Sequence, residues 1–246
     1  MSTFADLGIP FPLFEAPTRE ASDYAGLAIC RLCRRGGRHC FDVGIGDDLI
    51  LPCPACGLEA GLDPDERGDV ASRGCGSTVP FPEALHLKHR LLACYDCLRA
   101  GKVAMTKDTE FGMVSWERAI EGVTLGHPGL RADQFEIVAT GPRGGSPGAR
   151  VPVEHMWELL RTPGYISWQG ENWLFCCRRP MTYLGGWRHV SESLGTADRD
   201  AFFRGLFDPG DDAMSWGPDG FSGESACLHI YRCRTCGRHR AHYDFD

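Results

Sequence analysis

Nothing in the sequence approaches the ~20 consecutive apolar residues that a transmembrane helix needs. The opening residues, MSTFADLGIPFPLF, carry no basic stretch ahead of an apolar one. The expectation is a cytoplasmic protein with no membrane partner. Positive charge is also short, with 26 Lys and Arg against 33 Asp and Glu, a net charge of −7. Nonspecific nucleic-acid affinity comes from neutralising phosphates, so a binder with this balance would need a local basic face. Two groups of arginines offer one: Arg31, Arg34, Arg35 and Arg38, and Arg232, Arg234, Arg238 and Arg240, with Arg178 and Arg179 as further members of the second. Both groups flank cysteine pairs, whose thiolate charge they would offset.

Catalytic signatures are missing too. The chain has no His-Glu-x-x-His, no Gly-x-Ser-x-Gly and no phosphate loop, and Gly44-Ile45-Gly46-Asp47 is too short and too acidic to cradle a nucleotide. Pro52-Cys53-Pro54-Ala55-Cys56 imitates half of a zinc deaminase site. The His-x-Glu that should precede it is absent, because His39 is followed by Cys40 and Phe41. A complete disulfide framework is excluded by an odd count of 13 cysteines and by the reducing compartment expected.

What the chain does have is the pair Cys-x-x-Cys four times, at Cys30/Cys33, Cys53/Cys56, Cys94/Cys97 and Cys233/Cys236. That spacing lets a tight turn aim two thiolates at one metal, and several such pairs read as tetrahedral Zn²⁺ sites. Two pairings compete for the first three pairs. Cys30/Cys33 could share a metal with Cys53/Cys56, about 20 residues on. Alternatively residues 53–77 form an inserted ribbon, since Cys56-Gly57 and Cys75-Gly76 both look like the end of a knuckle; Cys30/Cys33 would then pair with Cys94/Cys97 around it. The inserted site has Ser72 where its fourth cysteine would fall, leaving Cys53, Cys56 and Cys75 with Cys40, His86, His89 or water to complete them. Cys233 and Cys236 need partners from Cys176 and Cys177; strand neighbours point to opposite faces, so only one of the two, taken as Cys177, should ligate unless the strand has ended, with His239 or His242 as nitrogen donors. Cys40 and Cys227 are expected to be buried, unliganded thiols. Two or three zinc sites result.

The Gly/Pro-rich stretch at 140–150 is the best boundary, dividing an N-terminal zinc-ribbon module at 1–140 from a C-terminal α+β module at 141–246 closed by the last knuckle. Beyond it, Val153, Met156, Trp157 and Leu160 recur at helical spacing between Pro152 and Pro163. Strands are expected at 164–168, 173–177 and 181–185, a helix at 197–207, a loop at 211–225 and two strands joined by the knuckle at 226–246. Ser115 is placed to cap a short helix over 116–122. Five tryptophans crowd the second half. Most should pack in the core, and the turn between Trp168 and Trp173 is the candidate recognition patch.

The stretch 161–177, RTPGYISWQGENWLFCC, followed by Tyr183-Leu184-Gly185, resembles the CbrC-like family of small bacterial proteins with several Cys-x-x-Cys motifs. Residues 11–26, 94–112 and 230–246 extend the resemblance, whereas 53–80 stands outside it. The resemblance implies the nested pairing and metal binding in a bacterial cytoplasm, with no catalytic activity attached. It also implies a link to colicin tolerance. Where the family pattern has a further cysteine, four residues after Cys177, this chain has Met181. The resulting expectation is a non-enzymatic zinc protein of toxin-tolerance or immunity type, its acidic surface suited to a basic toxin domain. A zinc-ribbon nucleic-acid-binding or regulatory protein is the alternative, and a zinc enzyme at Cys53, Cys56 and Cys75 a third reading.

Overall fold

A computed structural model describes residues 2–43, 49–52, 59–60, 69–71, 78–80, 92–105, 121–124, 136–140, 145–168, 170–208, 211–221 and 226–245. The architecture is mixed α+β, built from small antiparallel sheets and short helices.

The first half is organised by a three-stranded antiparallel sheet of β1 (Tyr24–Ala28), β2 (Arg38–Asp42) and β7 (Leu92–Cys94), in the order β1-β2-β7. Between β2 and β7 the chain makes β3 (Leu49–Pro52), paired antiparallel with β4 (Glu59–Ala60), and β5 (Asp69–Ala71), paired with β6 (Thr78–Pro80). Helix α1 (Tyr95–Arg99) follows β7 directly, and β8 (Ala104–Met105) returns to pair with β3. A hairpin of β9 (Ile137–Thr140) and β10 (Gly145–Ala149) leads into helix α2 (Val153–Leu160). That helix starts immediately after Pro152 and buries Met156, Leu159 and Leu160, the face its sequence period marks.

The second half centres on β13 (Thr182–Gly186), β14 (Ala226–Arg232) and β15 (His239–Phe245), antiparallel in that order. A two-residue turn joins β11 (Phe175–Cys176) to β12 (Arg179–Pro180). Helices α3 (Trp187–Glu192) and α4 (Thr196–Gly205) follow β13. The segment expected as a loop at 211–225 holds two 3₁₀ turns, Asp212–Trp216 and Pro218–Phe221, the first capped by Asp211, which accepts from the Ala213 N–H at 3.0 Å. The expected strand at 164–168 is reduced to a single bridge between Ala21 and Tyr165. Its amides are used elsewhere: Ile166 donates to the Glu20 carbonyl at 3.0 Å and Trp168 to the Asp244 carboxylate at 2.8 Å.

Both faces of β14 are covered. Leu228 and Ile230 join Trp187, Phe203, Leu206 and Phe221 in one core. Tyr231 belongs to the larger one, which takes Phe4, Phe11, Phe41 and Leu98 from the first half and Tyr165, Trp173, Met181 and Tyr183 from the second. The N-terminal segment ties the two sheets together. Phe11 packs edge-on against Phe41 at 5.1 Å and Phe14 against Tyr183 at 5.3 Å, while Tyr183 exchanges backbone hydrogen bonds with Leu13 and Glu15. Burying such rings contributes roughly 1.5–3 kcal/mol each.

Candidate metal centres

Two groups of four cysteines converge among the described residues. Cys30, Cys33, Cys94 and Cys97 form the first and Cys176, Cys177, Cys233 and Cys236 the second, and within each group all four sulfurs lie within 4.8 Å of one another. Sulfur pairs stand 3.8 Å apart for Cys30 and Cys97, 3.8 Å for Cys33 and Cys94, and 3.7 Å for Cys176 and Cys236. A tetrahedron with bonds of about 2.3 Å from metal to sulfur has edges of about 3.8 Å, so both sulfur sets fit a four-coordinate thiophilic ion.

The first knuckle is a turn between β1 and β2. The Cys30 N–H donates to the Arg35 carbonyl at 3.0 Å, and the Arg34 N–H returns to the Cys30 carbonyl at 2.8 Å. The sulfur of Cys30 accepts from the backbone N–H groups of Cys33 at 3.5 Å and Cys94 at 3.3 Å, which fixes its position in the turn. Cys94 ends β7 and Cys97 sits in α1. The second knuckle repeats the wiring between β14 and β15: Cys233 N–H to the Arg238 carbonyl at 2.8 Å, and Gly237 N–H to the Cys233 carbonyl at 2.9 Å. Gly237 has φ of 73°, and Arg34, its counterpart in the first knuckle, has φ of 58°. The left-handed conformation is free for glycine and costs an arginine about 1 kcal/mol.

The other half of the second group brings Cys176 in beside Cys177, because the strand has ended. The strand ends at Cys176, and Cys177 and Arg178 form the two-residue turn into β12 with φ of 52° and 61°. Positive φ at both central residues is the mark of a type I′ hairpin turn, and the turn swings Cys177 onto the side already faced by Cys176. Both therefore join Cys233 and Cys236. His239 instead packs against Phe202 at 5.0 Å, and His242 lies at 3.0 Å from Asn172, so neither belongs to the group. Met181 is fully buried and its carbonyl accepts from the Trp173 indole at 2.8 Å.

Cys40 is fully buried beside the first group and outside it. Burial first, and then charge at Cys30, Cys94 and Cys33, push its thiol up to about 11, so it stays protonated. Cys227, expected to be buried, is partly exposed; burial raises its thiol and a hydrogen bond from Trp168 partly offsets that. In the second group, a hydrogen bond from the Arg238 backbone lowers the Cys236 thiol to about 7. Burial and the neighbouring cysteines raise Cys97 and Cys176. Cys53, Cys56, Cys75, His86, His89, residues 44–47 and residues 116–120 of the expected helix lie outside the described residues; Glu121 and Gly122 at its end form a turn.

The expected recognition patch divides. Trp173 is buried at 1% exposure, whereas Trp168 is 56% exposed. The two arginine groups divide as well. Arg232 pairs with Glu15 at 2.7 Å, and Arg238 and Arg240 share Asp208 at 2.7 and 2.8 Å. Arg38 pairs with Asp96. Arg31, Arg34 and Arg35 are exposed and make no ion pair among the described residues.

Fold and sites together define a cysteine-rich α+β protein with two four-thiol groups spaced to hold metal. The family model of the Uncharacterised protein family UPF0167 matches residues 83–245, well over half of the chain, and the protein belongs to that family. It is 33% identical over 89 residues to the UPF0167 protein PA1536 of Pseudomonas aeruginosa, covering 35% of this chain and 48% of that protein. The chain thus spans about half the length of the curated relative it matches. No solved structure matches it. Among the described residues no helix is long and apolar enough to cross a membrane.

Proposed function

We propose that this is a non-enzymatic zinc-binding protein that acts by binding a protein partner, in the manner of bacterial toxin-tolerance or immunity proteins. The observation that carries the non-enzymatic part is the completeness of the two four-cysteine groups. A catalytic zinc keeps one position for water or substrate, whereas four thiolates close the tetrahedron. Zinc ions held this way would cross-link β1, β2, β7 and α1 in one place and β11, β14 and β15 in the other, as zinc ribbons do, and leave function to the surface. The toxin-tolerance part is supported by the resemblance to the CbrC-like family. It also draws on the net charge of −7, which speeds encounter with a basic toxin domain. A reducing cytosol would keep these thiols available for metal.

The test is mass spectrometry of proteins that co-purify with the tagged, zinc-supplemented chain from its own host at low salt. One basic toxin domain in stoichiometric amount is the expected result. Arg31, Arg34 and Arg35, exposed and without an ion pair among the described residues, favour a second reading, nucleic-acid binding on the first knuckle. Recovery of ribosomal or nucleoid proteins alone, lost on nuclease treatment, would replace the first reading with this one.

A further inference from the structure

A cleft of about 620 Å³ opens between the end of β13, the start of α3 and β14, and none of its lining residues belongs to either four-cysteine group. That volume suits a small organic ligand. Its polar wall is Glu20, whose Oε2 accepts from the Tyr183 hydroxyl at 2.9 Å and the Gly186 N–H at 2.8 Å, with Oε1 outside both bonds. The carboxylate fits because residue 185 is glycine: a Cβ there would stand 3.2 Å from both Glu20 oxygens and 3.1 Å from His189.

Behind Glu20 runs a chain of buried polar groups. The Tyr183 hydroxyl lies 3.3 Å from His229 Nδ1, His229 Nε2 lies 3.3 Å from Asp244 Oδ1, and Asp244 Oδ2 accepts from the backbone N–H of Trp168 at 2.8 Å. His229 is 3% exposed and Asp244 is fully buried. Burying such groups carries a desolvation cost that packing alone does not require. Here both ends of the chain emerge at the cleft, one fixing Glu20 and the other the backbone of Trp168. The Glu20 carbonyl also holds the N–H of Ile166 at 3.0 Å. Ile166 and Trp168 are thereby pinned by their backbones with side chains 61% and 56% exposed, the preorganisation a binding site needs. Arg19 and Arg188 complete the cleft with positive charge.

A fixed carboxylate, the Arg19 guanidinium and an exposed indole within one cleft are complementary to a ligand with a cationic group, an anionic group and an apolar body. We infer that the cleft binds a small zwitterion with an aromatic or branched apolar body, of which an aromatic α-amino acid is the simplest case. Its ammonium group meets Glu20, its carboxylate meets Arg19, and its ring lies against Trp168 and Ile166.

Calorimetric titration of the zinc-loaded full chain tests this with L-phenylalanine, phenethylamine and 3-phenylpropionate, the last two each lacking one charge. Phenylalanine should bind with a millimolar or lower Kd, and each analogue about tenfold or more weaker. Glu20→Gln should weaken phenylalanine by about tenfold or more and leave 3-phenylpropionate unchanged. Because Glu20 also holds Tyr183 and the start of α3, Trp168→Ala serves as the second variant. Its side chain is exposed, and it should weaken all three compounds with the fold intact. No heat from phenylalanine up to roughly 10 mM, an analogue binding as tightly as phenylalanine, or unaltered binding in Trp168→Ala would each overturn the assignment.

Discussion

In the first four-cysteine group Cys30, Cys94 and Cys97 are buried and Cys33 reaches solvent only in part, whereas in the second Cys177 and Cys236 are exposed. The backbone plan of the two knuckles is the same, with the same pair of hydrogen bonds closing each turn. Their surroundings differ. Around the first, Arg31, Arg34 and Arg35 point to solvent without an ion pair among the described residues, and Leu27 and Ile29 are 67% and 61% exposed beside them. Around the second, Arg232, Arg238 and Arg240 are engaged by Glu15 and Asp208, while Arg234 is exposed without an ion pair among the described residues. One turn chemistry thus serves two settings: a buried centre flanked by three exposed arginines without ion pairs among the described residues, and an exposed centre three of whose arginines are tied to acidic residues elsewhere in the fold.

The largest predicted effect follows from burial. Cys97→Ser should remove much of the ~10 kcal/mol that a structural zinc site can supply and leave the sheet of β1, β2 and β7 unfolded, read by circular dichroism and zinc content. Cys177→Ser should cost less, because its site is open to water; equal losses would break the comparison.

Next is an acid effect confined to the sheet that carries the second knuckle. Burial, and then the charge of His229, hold His242 at about 4, below its ordinary 6.5, with Asp244 opposing. The unfolded chain takes up this proton first as pH falls, so the contribution to stability is complete above 6.5 and is lost as pH drops through about 4. Urea midpoints at several pH values should show that decline in the parent chain and a shallower one in His242→Gln. Equal slopes would contradict the assignment.

Thiol reactivity sharpens the contrast further. In metal-free protein at neutral pH, Cys236 should be alkylated by iodoacetamide roughly tenfold faster than an ordinary cysteine, since its thiol is lowered to about 7. Cys97, buried and raised, should be among the last modified. Peptide mapping over time gives the order, and modification of Cys97 ahead of Cys236 would refute it.

The smallest effect tests the shared turn itself. Arg34→Gly relieves a left-handed arginine and should stabilise the chain by about 0.5–1 kcal/mol, and Gly237→Ala should cost a similar amount. A destabilising Arg34→Gly would mean that the arginine side chain has a structural contact of its own.

Where the sequence was legible, the signal was periodic or local. Helix α2 and the strands β14 and β15 follow from apolar spacing, and the glycine after Cys236 marks its knuckle as a turn. The nested grouping of Cys30/Cys33 with Cys94/Cys97 was one of two spacings that local geometry allowed, and the family resemblance favoured it. The hairpin at Cys176–Arg179 was obscure because Cys177-Arg178 lacks the Asn-Gly or Asp-Gly that usually announces a type I′ turn. The chain from Glu20 to Asp244 was hidden for another reason: Glu20 and Tyr183 are 163 positions apart, and only the fold brings them to one hydrogen bond. A partial signal was available. Cys227, His229 and Tyr231 alternate with Ala226, Leu228 and Ile230, which marks a polar face on a strand that is buried on both sides.

The account rests on two closed four-thiolate centres, and metal stoichiometry tests that most directly. Native mass spectrometry of the zinc-supplemented variant Cys53→Ser/Cys56→Ser/Cys75→Ser, joined with X-ray absorption at the zinc edge, counts the ions and their ligands. Two zinc ions per chain, each with four sulfur neighbours at about 2.3 Å, is the predicted result. Fewer than two ions, or nitrogen and oxygen in the coordination shell, would contradict it.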